Sequence, residues 1–221
     1  SRNQALEKRM QTDTPVVKDI VLIGGGHTHV SVLRMFGMKP IPGVRLTLIA
    51  RDIHTPYSGM LPGYIAGLYD YDDVHIDLGP LARFAGARLY HGEVESIDLD
   101  QRLVHIPGRP SVPYDLVSIN IGSRPRTIDV PGALEYALPV KPIDKWLLDW
   151  EALQQRVLHS EGDFRVTVVG GGAGGVELAL ATQHRLRNLL QEQGDDPSRL
   201  HYEILTADAE IFPTHNAGVR C

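Results

Sequence analysis

The stretch "VTVVGGGAGGVE", residues 166–177, decides the fold class of this chain. An apolar, β-branched strand runs directly into Gly170, Gly172 and Gly175, which have the spacing G-x-G-x-x-G, and a helix is expected to follow. In such a turn the first glycine makes the tight bend, the second lets the backbone approach a pyrophosphate, and the third lets the helix pack on the strand. The stretch therefore favours a dinucleotide-binding unit over a glycine-rich turn that binds nothing.

An earlier stretch, "VLIGGGHTHV" at residues 21–30, repeats this pattern in a weaker form. Gly24 and Gly26 match the first two glycines, and His29 stands where the third would be. The strand begins at Lys18, apolar residues at helical spacing follow the glycines, and "VRLTLIA" predicts the next strand at 44–50. We interpret this stretch as a second nucleotide-binding unit, against the alternative of a turn without a ligand.

His29 is predicted to be a packed or hydrogen-bonded side chain rather than a catalyst, as histidines in the first turn of a helix usually are. A side chain at the third position must push the helix away from the strand or fit into a small gap. His27 and His29 do not form a convincing metal pair, because residues two apart on a helix point in different directions. No metal site is predicted.

The sequence between the two glycine stretches predicts further helices and a small antiparallel insertion. Residues 51–73 are irregular, with a short helix near "MLPGYIAGL", and "LGPLARFAG" predicts another helix. Three strands are expected at "ARLYHGEVESIDLD", "RLVHIP" and "YDLVSINIG", which places the insertion at about 87–118. The fold class is therefore α/β, with parallel sheets and one antiparallel insertion.

A boundary is expected at 123–142, where prolines and glycine break the pattern. The helix after it presents an apolar face that includes Trp146 and Trp150. Further strands are predicted at 164–169 and 200–206, with a helix to about residue 193 between them. The chain thus contains two strand–glycine–helix–strand units.

Composition and charge limit the classes of function. The chain has 221 residues, 43% of them hydrophobic, with a net charge of −5 and one cysteine, Cys221. The acidic balance argues against nucleic acid as the main partner. No apolar stretch is long enough for a spanning helix, and the N-terminus, interpreted as a flexible tail over 1–17, does not resemble a signal peptide. A single cysteine forms no internal disulfide, which indicates a cytoplasmic protein.

Neither unit has an acidic residue in the usual place for binding the adenosine ribose, at the end of its second strand. The first unit offers Arg51 and Asp52 there, and the second offers Thr206 and Asp208. Arg51 is a candidate for contact with an adenosine phosphate or for stacking on adenine, and is otherwise a solvated arginine. The choice between NADH and NADPH stays open.

Several segments together resemble the pyridine nucleotide–disulfide oxidoreductase superfamily of flavoproteins. They are "VLIGGG", "YDLVSINIGSRP", "VPG", "LPVK" and "VTVVGGGAGGVELA", in the order that the superfamily uses. Where that superfamily usually has A-T-G, this chain has Asn120, Ile121 and Gly122.

A narrower resemblance runs from Ile20 to Asn216. The segments "GGGHTHVSVLRMF", "TPYSGMLPGYIAGLYDYDDVHIDL" and "ILTADAEIFPTHN" are similar to the FAD-dependent module often found N-terminal to selenide, water dikinase (selenophosphate synthetase). That module is similar to type II NADH dehydrogenases. The resemblance implies an FAD-binding domain at 18–138, a NAD(P)-binding domain at 139–221, and a functional link to the dikinase.

The resemblance also assigns roles to single residues. For FAD it implies Gly24, Gly25, Gly26 and His27 at the pyrophosphate, Arg51 near the adenosine, Met60 and Leu61 near the flavin ring, Val94 at adenine, and Gly122 closing on the dinucleotide. For NAD(P)H it implies Gly170, Gly172, Ala173 and Gly174 at the pyrophosphate, and Glu177 near the nicotinamide. The alternative for Glu177 is a carboxylate in the first helical turn, favoured by the helix dipole.

The implied function is an FAD-dependent NAD(P)H oxidoreductase. Because a redox dithiol needs two cysteines, electrons are expected to pass to a quinone or another small non-disulfide acceptor. The resemblance further implies that the chain stops within the second domain, so that open sheet edges favour a homo-oligomer. The alternative is a truncated, non-catalytic nucleotide-binding or interaction module.

Overall fold

The computed structural model describes residues 15–123, 130–212, 214–216 and 218. The chain forms two compact units. The first holds the described residues up to Thr55 together with Ile76–Ser123, and the second holds Pro56–His75 and the described residues after Ser123. Most of the predicted N-terminal tail, and Cys221, lie outside the described residues. The assignment of residues 18–138 and 139–221 to separate cofactors stays a prediction.

The chain contains strands and helices in the mixed order of an α/β fold. The strands are β1 (Lys18–Ile23), β2 (Val44–Ala50), β3 (His54–Pro56), β4 (His75–Asp77), β5 (Arg88–His91), β6 (Ser96–Asp98), β7 (Leu103–His105), β8 (Val112–Pro113), β9 (Leu116–Ile119), β10 (Phe164–Val169) and β11 (Leu200–Leu205). The α-helices are α1 (His27–Met38), α2 (Leu61–Ile65), α3 (Tyr71–Val74), α4 (Leu78–Phe84), α5 (Ala133–Tyr136), α6 (Ile143–His159) and α7 (Ala173–Glu192). Short 3₁₀ turns lie at Ser58–Met60 and Pro197–Arg199.

The first unit is built on a parallel four-stranded sheet in the order β5-β2-β1-β9. Both faces of this sheet are covered, as parallel sheets require. One face packs on helices α1 and α4 through a buried cluster that includes Leu22, Leu33 and Leu78. The other face packs through Ile23 and Ile49 against residues of the antiparallel segment. The predicted Rossmann-like α/β fold with an antiparallel insertion is confirmed.

The antiparallel insertion is smaller than the sequence pattern predicts. Its sheet contains β6, β7 and β8 in that order. The predicted single strand "ARLYHGEVESIDLD" is two strands, because β5 pairs in parallel with β2 while β6 joins the insertion. Gly92 lies between them, and its N–H donates to the Ala50 carbonyl at 3.0 Å before the chain turns away.

The second unit is built on two parallel strands, β10 and β11, packed against helices. Its core contains Trp146 and Trp150 of α6 and Leu186 and Leu190 of α7. The two tryptophan rings are stacked with centroids 5.9 Å apart. Leu61 also lies in this core, so α2, which the sequence places next to the first unit, is a packing element of the second.

No helix within the described ranges combines the length and the apolar character that crossing a bilayer requires.

Candidate functional site

The two glycine turns have the same backbone design. Gly24 follows β1 with a φ of 92°, and its N–H donates to the Ile49 carbonyl of β2 at 2.8 Å. Gly170 follows β10 with a φ of 124°, and its N–H donates to the Leu205 carbonyl of β11 at 2.8 Å. Both φ values lie in the region that favours glycine. Each turn is thereby tied to the strand beside it and leads directly into a helix.

The third glycine of the second turn is there for packing. A Cβ on Gly175 would lie 1.9 Å from the carbonyl oxygen of Gly170. No side chain fits at that distance, so α7 lies close to its strand only because residue 175 is glycine.

In the first turn, His29 occupies the position of this third glycine, between the helix and the strand. Its side chain is fully buried, with 0% exposure. Nδ1 lies 2.7 Å from the Gly24 carbonyl oxygen, and Nε2 lies 2.9 Å from the Ser118 hydroxyl of β9. Burial lowers the pKa of the imidazole, and the hydrogen bond with Gly24 offsets part of that effect. His29 is therefore a packed, hydrogen-bonded side chain, as the sequence predicts.

Asn120, which the sequence analysis did not select, shapes the first turn from β9. Its carbonyl oxygen accepts from the Gly26 N–H at 3.3 Å, and its own N–H donates to the Ile23 carbonyl at 2.8 Å. A Cβ on Gly26 would lie 2.3 Å from the Asn120 side-chain oxygen, and one on Gly24 would lie 2.2 Å from its carbonyl oxygen. The signal was present in the sequence, since Asn120 replaces the alanine of the superfamily's A-T-G.

Helix α1 begins in a way that suits a phosphate group. Its N-cap is Gly26, which makes no side-chain cap hydrogen bond, and its first turn contains no acidic residue. His27 and Thr28 are exposed there. Free N–H groups and the positive end of the helix dipole attract anions at such a terminus. The residues present therefore fit the pyrophosphate of a dinucleotide.

The second turn also suits a pyrophosphate, and the space around its backbone is more open than in the first turn. Gly172 is the N-cap of α7 and makes no side-chain cap hydrogen bond. Cβ atoms added at Gly172 or Gly174 would meet nothing within 4 Å among the described residues, and Ala173 between them is exposed. Packing against the described residues therefore does not account for glycine at 172 and 174. The open space leaves room for a ligand to approach the backbone.

The segment after β11 returns to the second turn. The Phe212 N–H donates to the Gly171 carbonyl at 2.8 Å, and a Cβ on Gly171 would lie 2.7 Å from the Thr206 hydroxyl oxygen. The Asp208 N–H in turn donates to that hydroxyl at 3.3 Å. Thr206 thus occupies the place beside the turn where the sequence analysis looked for an acidic residue.

Three predicted FAD contacts lie at different positions in the first unit. Arg51 is on the turn after β2 and forms an ion pair with Asp52 at 2.7 Å. Val94 is half-buried and packs on the cluster beneath the antiparallel insertion. Gly122 is exposed just after β9, with a φ of 79°. Arg51 and Gly122 each lie two residues after a residue that hydrogen-bonds to the glycine turn, Ile49 and Asn120 respectively.

The remaining predicted residues belong to the second unit. Met60 ends a 3₁₀ turn and is half-buried, whereas Leu61 is 6% exposed and packs in the hydrophobic core. Glu177 is exposed on α7. Because α7 begins at Ala173, Glu177 lies in the second turn, and the alternative of a first-turn carboxylate is wrong.

The parallel sheets and the two strand–glycine–helix turns define the class of Rossmann-like dinucleotide-binding proteins. The family described as pyridine nucleotide-disulphide oxidoreductase matches residues 18–213, and the chain belongs to this family. Its members are oxidoreductases that use FAD and NAD(P)H.

Individual relatives agree with this membership. The chain is 30% identical over 168 residues to the NADH dehydrogenase-like protein YutJ of Bacillus subtilis, covering 74% of this chain and 44% of that protein. It is similar in fold to NDH2 of Plasmodium falciparum in complex with NADH, with a TM-score of 0.75, 19% identity, and coverage of 91% and 44%. The sulfide:quinone oxidoreductase of Aquifex aeolicus has a TM-score of 0.65 and 21% identity, with coverage of 87% and 44%. The chain thus spans less than half the length of these relatives.

Proposed function

We propose that the protein is an FAD-dependent NAD(P)H oxidoreductase that passes electrons to a quinone or another small non-disulfide acceptor. One observation carries this proposal: the chain has two separate glycine turns, each between a parallel strand and a helix N-terminus. A protein that bound one dinucleotide would need only one such turn. When bound, the two cofactors supply the hydride chemistry.

The chain's own residues hold the cofactors and orient them. We assign FAD to the first turn and the nicotinamide dinucleotide to the second. The FAD residues are Gly24, Gly25, Gly26, His27, Arg51, Met60, Leu61, Val94 and Gly122. The residues for the nicotinamide cofactor are Gly170, Gly172, Ala173, Gly174 and Glu177. The open space over Gly172 and Gly174 supports the second assignment most directly.

The single cysteine of this chain supports an acceptor that is not a disulfide. A flavoprotein that reduces a disulfide through its own dithiol needs two cysteines, and this chain has one. We therefore propose direct transfer to a small oxidant such as a quinone. The same single cysteine supports a cytoplasmic location. A functional link to selenide, water dikinase is proposed on the three segments that resemble its N-terminal module.

The test of the cofactor assignment uses two matched variants, Gly26→Val and Gly172→Val. Both positions are helix N-caps with extended backbone, but a side chain at residue 26 also meets the Asn120 side chain, whereas one at residue 172 meets no described residue. Circular dichroism must therefore first show that Gly26→Val folds as the wild type does. In the full chain, Gly26→Val should abolish FAD retention, read from the visible flavin spectrum, and leave NADH binding intact. Gly172→Val should do the reverse, read by calorimetric titration of NADH. Each variant is thus the folding control for the other.

The results for these variants and for the wild type test the cofactor assigned to each turn. If FAD survives in Gly26→Val, the assignment of the first turn is wrong. If the wild-type chain takes up no FAD at all, the protein is a non-catalytic nucleotide-binding module instead. With FAD bound, NADH should bleach the flavin spectrum, and a water-soluble quinone should restore it faster than oxidised glutathione does.

A further inference from the structure

His29 occupies a position in the first turn for which the proposed function gives no role. It is the third residue of α1, at the place that Gly175 holds in α7. Close packing alone would be satisfied by glycine, as it is in the second turn. A fully buried, polar ring at this position therefore does something that glycine does not.

The hydrogen bonds of the ring fix its protonation pattern. A backbone carbonyl only accepts, so Nδ1 carries the proton that it donates to the Gly24 oxygen at 2.7 Å. In the neutral ring, Nε2 is then the acceptor for the Ser118 hydroxyl at 2.9 Å. Ser118 lies on β9, directly opposite Leu22 of β1. The ring thus joins the first glycine of the turn to the strand beside it.

Holding the Gly24 carbonyl also sets the direction of the next N–H. The peptide bond is planar and trans, so the Gly24 carbonyl and the Gly25 N–H point in opposite directions. With the carbonyl directed at His29, the Gly25 N–H is directed away from the ring. It has no hydrogen-bond partner in the part of the chain that the structure describes.

We infer that His29 is a positioning residue of the first dinucleotide site: it holds the Gly24 carbonyl so that the Gly25 N–H is aimed at a phosphate oxygen, and the Ser118 hydroxyl, which donates to Nε2, holds the ring in place. The inference rests on the proposed function and adds a role for the residue that replaces the third glycine. At this position the first turn is held by the hydrogen bonds of a side chain, whereas the second has only a glycine packed against the Gly170 carbonyl.

The first test needs no cofactor. Long-range ¹H–¹⁵N NMR of the full wild-type chain should show His29 as the neutral Nδ1–H tautomer. Ser118→Ala should keep this tautomer, because the Gly24 carbonyl only accepts, but should shift the His29 Nε2 resonance and the Gly25 amide resonance. Ser96→Ala, at an exposed serine on a strand of the same unit, is the matched control and should change neither signal. An Nε2–H tautomer in the wild type, or an unmoved Gly25 amide in Ser118→Ala, would overturn the inference.

The second test measures FAD affinity by quenching of flavin fluorescence. Ser118→Ala should weaken binding about fivefold, and His29→Gly about tenfold or more, as the loss of one and of two hydrogen bonds implies. His29→Asn, which keeps a donor near the Nδ1 position, should recover part of the loss. A purely structural role would not produce this recovery.

Leu33→Ala provides the control for stability. Leu33 is fully buried on the same helix, in the cluster with Leu46 and Leu48, and takes no part in the hydrogen bonds of the His29 ring. Its loss should destabilise the chain and leave FAD affinity nearly unchanged. If Leu33→Ala weakens FAD binding as much as His29→Gly does, His29 acts only through packing and the inference fails. A wild-type chain that binds no FAD would overturn the proposed function, while the NMR test still decides whether His29 sets the turn.

Discussion

His29 and Gly175 hold equivalent positions in two turns, one with a ring and the other with no side chain. In the second turn, a Cβ on Gly175 would overlap the Gly170 carbonyl. In the first turn, the corresponding carbonyl accepts a hydrogen bond from the ring. The two turns therefore make the same strand-to-helix connection, but at this position only the first turn contains a group that can be protonated.

Acid should weaken the first unit through His29. Burial lowers the pKa of this imidazole, so the unfolded chain binds a proton more readily than the folded chain does. The stability that neutral His29 contributes is therefore complete above a pH of about 6.5 and is lost as the pH falls toward the lowered pKa of the folded state. Urea-unfolding midpoints of the wild type should fall over this range.

Two variants make the pH measurement specific. His29→Asn removes the ionisable ring. The urea-unfolding midpoint of this variant should therefore fall less than that of the wild type when the pH drops below about 6.5. His91→Asn, at an exposed histidine of β5 in the same sheet, should keep the pH dependence of the wild type. If the wild type and His29→Asn lose stability in parallel, His29 does not resist protonation in the folded chain.

The residues of the two turns were predictable to different degrees. The glycines were evident from their spacing, and the packed state of His29 followed from its place in a first helical turn. Its partner Ser118 and the neighbouring Asn120 were not found, because both contacts join residues about 90 positions apart. Only the parallel pairing of β1 with β9 brings them to the turn. The roles of Arg51, Val94 and Glu177 stay predictions.

Among the elements, α7 offers a direct test of what its glycines do. Gly174 lies in the first helical turn with open space around its Cβ position. Gly174→Ala should therefore raise the free energy of unfolding by about 0.5–1 kcal/mol, as alanine favours helix over glycine. We also expect the change to lower NADH affinity, because the added methyl group would stand where the proposed dinucleotide approaches the backbone. Urea unfolding and calorimetric titration measure the two effects.

Gly175→Ala is the matched comparison one residue further along. Its Cβ would lie 1.9 Å from the Gly170 oxygen, so this variant should lose about 1–3 kcal/mol of stability. A stabilising Gly175→Ala, or a Gly174→Ala that leaves NADH affinity unchanged, would contradict the different reasons given for the two glycines.

Elements with strong periodicity agree with the sequence prediction. β2 begins and ends at the predicted residues, and α7 ends at Glu192, one residue before its predicted end. The division of "ARLYHGEVESIDLD" was missed because both halves contain residues typical of strands, and only Gly92 marks the break. The short helices α3 and α5 were also missed, since four residues carry no periodic signal.

At the scale of the whole molecule, the two units differ in how well their sheets are enclosed. β1 has a strand on each side, whereas β10 and β11 have only each other among the described strands. Val169 and Leu205, at the ends of these two strands, are 81% and 54% exposed. Backbone amides of β10 and β11 should therefore exchange with deuterium faster than those of β1.

Mass spectrometry of deuterium uptake at two protein concentrations tests this expectation. Protection of β10 and β11 that rises with concentration would show that a second copy covers them, as the proposed homo-oligomer requires. Protection equal to that of β1 at the lower concentration would contradict the argument from sheet coverage.

The placement of α2 in the second unit has a consequence for synthesis on the ribosome. Residues through Ser123 contain every strand of the first unit's sheets, so that unit can form while the rest of the chain is still being made. Leu61 and Ile65 emerge early, yet they pack with Trp146 and residues beyond it. Growth of the chain from residue 61 to residue 146 takes about 4–17 s at roughly 5–20 residues per second. During that interval the nascent chain displays an apolar segment without its partners, which is where a chaperone would bind.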